Sequence, residues 1–581
     1  MTVREQYLSL LKEWMDALLE YQLGNPKHPH LHGALLCPAC QIIHGRCADA
    51  VYPLLTLADY TGEEKYLIAA RNLFDWNASL LCEDGSMYND GQHEWRGITV
   101  FTAIAFHNAM HYHGHLLTED ERARWMKRLG GFAGWLYKYI DVGYSTNINY
   151  IATTCLAMAL LADDFDRSEY RVRAKKLLEY TLGCLTEDGL LYGEGKPIDR
   201  ITANGFRCVD MGYNIEESMP SILECAYHLG DTALLDRARK AWRTHIDFML
   251  PDGAWDNSFG TRTFKWTYWG SRTSDGCQGA LNRLGKEEPM YAEAALRNLE
   301  LYRRCTVNGL FHGGPDNFHH GEEACLHHAF EHAKVLAQAL DEGICEFERT
   351  GIPSDHPESL KEYRDVGIVR AASGSWRMTA SVNDFEYMRG GAASGGAITL
   401  LWHEKAGPVF ATANTDYSMF ESHNMQLTRR NTSHRSLCPG VVLGEKFAQF
   451  YDHSAKMKAE EQSGGVRISV QARLADINHC PSDAAPCRLE YMLSADSLRI
   501  FGTIDPQAEL ILPVIARDDA PLIKQPGKLT IEKPGAAVIV EADRIAANPE
   551  HIFCLAPGFE AVEVHILPDE NGSIDVSIRV E

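Results

Sequence analysis

Glu187-Asp188-Gly189-Leu190-Leu191-Tyr192 is one of four phrases in the first part of the chain that set Asp-Gly or Asn-Gly ahead of small, apolar or aromatic residues. The others are Glu83-Asp84-Gly85-Ser86-Met87-Tyr88, Pro251-Asp252-Gly253-Ala254-Trp255 and Val307-Asn308-Gly309-Leu310-Phe311. Glycine accepts the left-handed conformation in which helices end, so each phrase reads as a helix terminator. Gly189, Gly253 and Gly309 follow one another at 64 and 56 residues. Gly85 and Gly189 are 104 apart, with a further break at Asp141-Val142-Gly143-Tyr144. A period of roughly 50–60 residues holds two helices and two loops.

Helix-period apolar patterns fill the intervals. One set, at about 5–21, 65–81, 120–139, 168–185, 232–249 and 287–305, is amphipathic. The alternating set, at about 41–58, 97–113, 147–163, 213–229, 272–283 and 325–340, is richer in small and apolar residues, as in Ile151-Ala-Thr-Thr-Cys-Leu-Ala-Met-Ala-Leu-Leu161. That contrast predicts an outer ring facing water around a buried inner ring. Six such pairs make an (α/α)6 toroid over residues 1–350, with an open helical solenoid as the other arrangement of the same repeat. Past Pro353 the texture becomes short alternating runs between Gly, Pro and Asp turns, such as Val466-Arg-Ile-Ser-Val-Gln-Ala-Arg473 and Val562-Glu-Val-His-Ile-Leu567. Residues 351–581 therefore read as an antiparallel β-sandwich, and the fold class as α+β by segregation.

The chain has 581 residues, 56 Lys plus Arg against 79 Asp plus Glu, and a net charge of −23. Such a surface repels phosphate backbones, which excludes nucleic acid as a partner, and an anionic substrate would need a local basic site. The 16 cysteines are scattered singly through apolar stretches, as thiols in a reducing compartment are. No apolar run reaches a membrane span and the N-terminus lacks a signal-peptide pattern, so a soluble cytoplasmic protein is expected.

The Asp-Gly turns precede inner helices, so the inner-helix N-termini should open on one face, where polar loop residues converge. Asn147 reads as a cap, but Asn149 and Tyr150 fall inside the first turn, where capping explains nothing. Tyr213 follows a glycine at the fourth inner helix; the neighbouring Glu216 and Glu217 suit the helix dipole. The densest segment runs from Asp256 to Gly276 and holds Arg262, Lys265, Trp266, Tyr268, Trp269, Arg272 and Asp275. Aromatic faces stack on sugars and guanidinium groups pair with carboxylates, which makes Arg262, Lys265, Trp266, Trp269 and Asp275 candidate substrate contacts. His44, Trp95 and Arg96 near the same mouth join them. His327 or His328 is a candidate acid/base.

Two metal arrangements arise. His328 and His332 stand four apart on a helix, but Glu331 is not placed as in the zinc-protease motif. Cys37, Cys40, His44 and Cys47 would share one stripe if their segment is a helix begun at Pro38, which is also how a buried inner face looks. Neither is assigned a metal, and no cofactor is expected.

The order of toroid and β-sandwich, the Asn149-Tyr150 pair and the phrase Tyr192-Gly193-Glu194-Gly195 resemble the (α/α)-toroid polysaccharide lyases. These include the heparinase II/III-like and alginate-lyase-like groups and the L-rhamnosyl-glucuronate lyases. The resemblance implies a carbon–oxygen lyase that cleaves a uronic-acid linkage by β-elimination. It implies that Asn149 neutralises the carboxylate, helped by Arg272 or Arg207. Tyr213 or Tyr192 would be acid or base, with His328 or His327 as the base partner. Relatives place a His-rich strand of the β-sandwich at the cleft; here Leu400-Leu-Trp-His403-Glu-Lys405 carries a single His.

Two other readings stand beside this one. An (α/α)6 glycoside hydrolase needs paired carboxylates, which Asp210, Asp256, Asp275 and Glu194 could supply. A noncatalytic sugar-binding protein would use Trp266 and Trp269 as its platform.

Overall fold

The computed structural model describes residues 1–24, 27–89, 95–144, 147–195, 197–412, 437–546 and 549–581. Six outer helices, Val3–Leu19, Glu64–Asn77, Glu119–Tyr139, Ser168–Gly183, Thr232–His245 and Pro289–Arg304, alternate with six inner ones. The inner helices are Val51–Thr61, Thr99–His113, Ile148–Asp164, Met219–Leu229, Gln278–Gly285 and Leu326–Glu342. The outer Thr232–His245 buries one stripe of Leu234, Ala238, Ala241, Trp242 and His245. The inner Ile148–Asp164 buries nearly its whole circumference, as a helix enclosed on all sides must. Capping boxes start two outer helices, Thr2 with Glu5 and Thr118 with Glu121, by satisfying otherwise orphaned amides.

The Asp-Gly phrases do not cap helices. Each forms a tight turn beyond the outer helix, closed by a short antiparallel pairing: Leu81 with Met87, Leu185 with Leu191, Met249 with Trp255, and Thr306 with Phe311. The glycine is left-handed in all four. It also presses on the next outer helix. A Cβ on Gly85 would lie 2.5 Å from the Gly131 carbonyl oxygen, one on Gly253 2.3 Å from that of Arg297, and one on Gly309 2.9 Å from the Ala17 Cβ. The last contact joins the sixth repeat to the first helix, so the ring closes and the open solenoid is excluded. Trp14 donates to the Thr306 hydroxyl at 2.9 Å, Arg303 pairs with Glu13 at 2.9 Å, and Asn282 donates to the Tyr7 hydroxyl at 2.8 Å across the same seam.

From Glu358 onward the chain is antiparallel sheet. A five-stranded sheet (Glu358–Tyr363, Ile368–Ser373, Trp376–Ser381, Ala397–His403, Gly407–Ala411) lies nearest the toroid. A second five-stranded sheet and an eight-stranded sheet complete the sandwich, and all three share one apolar core that includes Trp376, Leu401, Ile468, Leu489, Leu512 and Val562. Among the described residues no helix is long and apolar enough to cross a membrane.

The sandwich is fastened to the loop between the fifth outer and the fifth inner helix. Thr379 donates to Asp256 at 2.6 Å, Ser258 to Thr399 at 2.9 Å, and Thr263 to the Gly391 carbonyl at 3.0 Å. This union fixes the Asp256–Gly276 segment between the two halves of the protein.

Candidate active site

Inner-helix N-termini do open on one face, and two phrases remote in sequence meet there. Asn147 and Glu194 form an antiparallel bridge, and the Ile148 amide donates to the Gly193 carbonyl at 3.0 Å. Asn147 occupies the N-cap position without making a cap hydrogen bond. Asn149 is buried and its amide nitrogen donates to Glu217. Glu217 lies in a π-helical turn, Asn214–Ser218, inserted between Met211–Tyr213 and Met219–Leu229. Such a wide turn rotates successive side chains off the α-helical register, a distortion common at functional sites. Tyr213 stands just before it.

The Tyr213 hydroxyl lies 2.6 Å from the Thr273 hydroxyl and 3.1 Å from the Lys265 ammonium, which donates to it. The Arg262 guanidinium sits 3.5 Å from the Tyr213 ring centroid. Its other contacts are to Asp210 at 3.0 Å and Glu194 at 2.6 Å, both carboxylates buried. Asp210 also accepts from the Tyr213 amide at 3.1 Å, which fixes the start of this helix. Burial raises the Glu194 carboxyl to about 7, against the attraction of Arg262 and with Asp210 adding repulsion.

A second network adjoins it. Arg46 pairs with Asp49 at 3.2 Å, with Glu331 at 2.9 Å and with Asp275, and donates to the Thr273 carbonyl at 3.1 Å. Lys334 pairs with Asp49 at 2.8 Å and Asp275 at 2.9 Å. Four carboxyl groups, those of Asp49, Asp275, Glu331 and Glu217, thus share two cations. Burial drives Glu217 up to about 8 and Glu331 well above the usual carboxylate range, while Lys334 and Arg46 overcome the effect of burial at Asp275 and hold it low. Glu217 therefore keeps its proton at neutral pH, whereas Asp275 does not.

Glu216 has a structural task that the helix dipole does not describe. It accepts from the Ser271 amide at 2.6 Å and the Ser274 hydroxyl at 2.9 Å, pinning the turn that carries Arg272 and Thr273. Thr273 itself has a left-handed backbone, φ +65°, unusual for a β-branched residue and consistent with a strained functional turn. Arg272 is buried and donates to the Leu555 carbonyl of the β-sandwich at 3.1 Å. Its Nε and Nη1 have no hydrogen-bond partner among the described residues.

His327 and His328 are buried at the start of the last inner helix, and burial holds both imidazoles neutral, well below their ordinary range; His44 and Arg46 add to this at His327, Arg272 at His328. The His327 and His44 rings lie 3.7 Å apart. His328 faces the Phe311 carbonyl at 3.4 Å and His332 the His328 carbonyl at 2.9 Å, so this pair is held by backbone rather than set around a metal.

Other sequence candidates lie elsewhere. Tyr192 and Arg207 pack on one another, guanidinium 4.5 Å from the ring centroid, and Arg207 donates to the Asp199 carbonyl. Trp266 and Trp269 are not open platforms: both are fully buried, with their indole N–H groups on the carbonyls of Trp255 and His312. Trp269 packs between Phe311, Tyr302 and His332, because an indole can hide its whole surface once its one donor is satisfied. Trp95, Tyr144 and Tyr150 keep half-buried aromatic faces, with Trp95 donating to the Tyr150 hydroxyl at 2.8 Å. Arg96 pairs with Asp84 at 2.9 Å, partly exposed. The carboxyls considered for hydrolysis are committed: Asp210 and Glu194 to Arg262, Asp275 to Arg46 and Lys334, Asp256 to Thr379 and Ser258.

A family model described as the ulvan lyase N-terminal domain matches residues 11–353, and one described as the ulvan lyase C-terminal domain matches residues 360–581. The chain belongs to the ulvan lyase family. It is 34% identical over 583 residues to a broad-specificity ulvan lyase of Formosa agariphila, covering 96% of this chain and 91% of that protein. As an ulvan lyase family member it is a polysaccharide lyase, a carbon–oxygen lyase acting on uronic-acid linkages. Solved structures of similar architecture include the chondroitin AC lyase of Streptomyces coelicolor A3 in complex with chondroitin sulphate. That match has a TM-score of 0.54 at 11% identity and covers 99% of this chain and 79% of that one. A heparinase III structure matches with a TM-score of 0.51 at 11% identity, covering 100% and 84%. At such identities these likenesses speak for the toroid-plus-sandwich fold alone.

Proposed function

We propose that the chain depolymerises an ulvan-type, uronate-containing polysaccharide by β-elimination, with Tyr213 moving the proton. The observation that carries this is the seat of the Tyr213 hydroxyl between Lys265 and Thr273. Lys265 donates to that oxygen and stabilises charge on it when its proton leaves, and Thr273 can accept or donate in step. Asn149 and Arg272 seat the substrate carboxylate: Arg272 brings a cation with unpaired N–H groups, as an anion needs in a chain of net charge −23. Protonated Glu217, beside Asn149, adds an O–H donor of the kind a buried neutral carboxyl supplies. Neutralising the carboxylate acidifies the C–H next to it; the base takes that proton, the bond to the glycosidic oxygen breaks as that oxygen takes the Tyr213 proton, and the electron pair of the C–H bond becomes a double bond in the sugar. His327 or His328, kept neutral by burial, is the partner that can accept a proton. Trp95 and Tyr150 offer the stacking face. The 16 unbridged cysteines support work in a reducing compartment such as the cytoplasm, on imported oligosaccharides.

Ultraviolet absorbance during incubation with ulvan tests the reaction, since elimination makes a conjugated, unsaturated uronate. A steady rise is expected with ulvan and a smaller one with other uronate polymers. New reducing ends without that rise would mean hydrolysis and remove the proposal.

A further inference from the structure

We propose that Cys37, Cys40, His44 and Cys325 bind one zinc(II) ion that locks the toroid shut at its mouth. The segment Cys37–His44 is a turn and extended chain rather than the first stretch of an inner helix, whose helical residues begin only at Gly45. The four-residue stripe expected there does not form. Cys47 turns away into the core, and Cys325, at the N-cap of the last inner helix, takes its place.

The resulting cluster has the dimensions of a zinc tetrahedron. Its sulfur–sulfur distances are 3.4 Å for Cys37–Cys40, 3.8 Å for Cys37–Cys325 and 3.6 Å for Cys40–Cys325. His44 Nε2 lies 3.5 Å from the Cys40 sulfur, and all four ligand atoms fall within 4.8 Å of one another. Four ligands at zinc–sulfur and zinc–nitrogen bond lengths of about 2.3 and 2.0 Å stand about 3.5–3.8 Å apart along the tetrahedron's edges. Three thiol groups gathered this closely in a poorly solvated place have no use for one another as hydrogen-bond partners, sulfur being weak in both roles. A soft, four-coordinate cation explains the gathering, and closure by four protein ligands marks a structural site. Each thiol loses its proton to solvent on binding. The site then carries one net negative charge, and the Arg272 guanidinium acts electrostatically on Cys40 at its edge.

The ion would join the segment before the first inner helix to the start of the last, tying the ring's seam on the mouth side as Gly309 and Trp14 tie it outside. It would also fix His44 against His327. Metal analysis of the wild-type protein, purified without chelator from zinc-supplemented culture, should give about one zinc per chain. Cys325→Ser and Cys40→Ser should lose it, and Cys47→Ser should retain it. Cobalt(II) added to chelator-treated protein should develop the visible bands of a tetrahedral site and a thiolate-to-cobalt charge-transfer band. Wild-type protein that holds no stoichiometric zinc, or that gives cobalt bands unchanged by Cys325→Ser, would overturn the assignment. Because the wild-type measurements need no variant to fold, they decide the matter without reference to activity.

Discussion

Two charge clusters meet at Thr273 and differ in their arithmetic. On one side Arg262 serves Glu194 and Asp210, with Lys265 close by on Tyr213. On the other, Arg46 and Lys334 serve Asp49, Asp275, Glu331 and Glu217. Arg46 reaches the Thr273 carbonyl and Tyr213 reaches its hydroxyl, so a single residue touches both. A buried carboxyl without its own cation keeps its proton, because desolvation penalises the charged form. The first cluster leaves Glu194 near 7, and the second leaves Glu217 near 8, with Glu331 also raised by burial. Under the proposed mechanism the two clusters have different work. The Tyr213 side, rich in cations, would favour developing negative charge; the Asn149–Glu217 side would supply neutral donors to a charge already present.

The sharpest way to break this division is Tyr213→Phe, which removes one oxygen and little volume. Activity on ulvan should fall by about 10²- to 10⁴-fold, the usual range for a proton-transferring side chain, with the thermal midpoint nearly unchanged. Activity within tenfold of wild type would remove Tyr213 from the chemistry. Arg46→Met attacks the other side. It strands Asp49 and Asp275 with Lys334 alone, and removing one partner of a buried ion pair costs about 3–5 kcal/mol. Urea denaturation should show a loss of that size; a loss below about 1 kcal/mol would mean that the network is as well served without the arginine.

How far these clusters could be read from the chain depends on how local their causes are. Helix periodicity is set by neighbours three and four residues away, so the predicted 120–139 and 168–185 fall within two residues of Glu119–Tyr139 and Ser168–Gly183. Asn149 and Tyr213 were visible because a polar residue in the first turn that does not cap needs another reason to be there. The Asp-Gly turns were legible as breaks but not as hairpins, since a left-handed glycine serves both. Glu217 was hidden by a sufficient local explanation, the helix dipole, and only the π-helical turn shows where it points. Trp266 and Trp269 misled because an indole suits a sugar face and a core equally; the residues that bury Trp269 (Tyr302, Phe311 and His332) arrive from another repeat. Lys334 lies one helical turn beyond Glu331, and its partners Asp49 and Asp275 are remote in sequence. No short-range pattern announces it.

Glu217→Gln tests the protonation arithmetic itself. In the folded protein Glu217 gives up its proton only near pH 8, whereas an unfolded Glu does so near 4.5. Between those values the native state binds a proton that the unfolded state lacks, so this group's contribution is complete below pH 4.5 and is lost as pH rises toward 8. Wild-type thermal stability should therefore fall across that window, and Glu217→Gln should flatten the fall. Glu194→Gln should act in the same sense over the shorter interval up to about 7. A wild-type profile that rises from pH 5 to 8, or one unaltered in Glu217→Gln, would mean that Glu217 is ionised. The Asn149 side would then repel a uronate, and the carboxylate would have to rest on Arg272 alone.

The smallest expected effect belongs to the rim. Trp95→Ala removes the half-buried indole that braces Tyr150 but touches neither cluster. Stacking of this kind is worth about 0.5–1.5 kcal/mol, so KM for ulvan oligosaccharides should rise by about 2- to 10-fold with kcat nearly constant. A fall in kcat instead would draw Tyr150, and with it the first turn carrying Asn149, into the chemistry. Unchanged KM would leave the sugar ring to be held by its charge, which is the stronger form of the contrast between the two clusters.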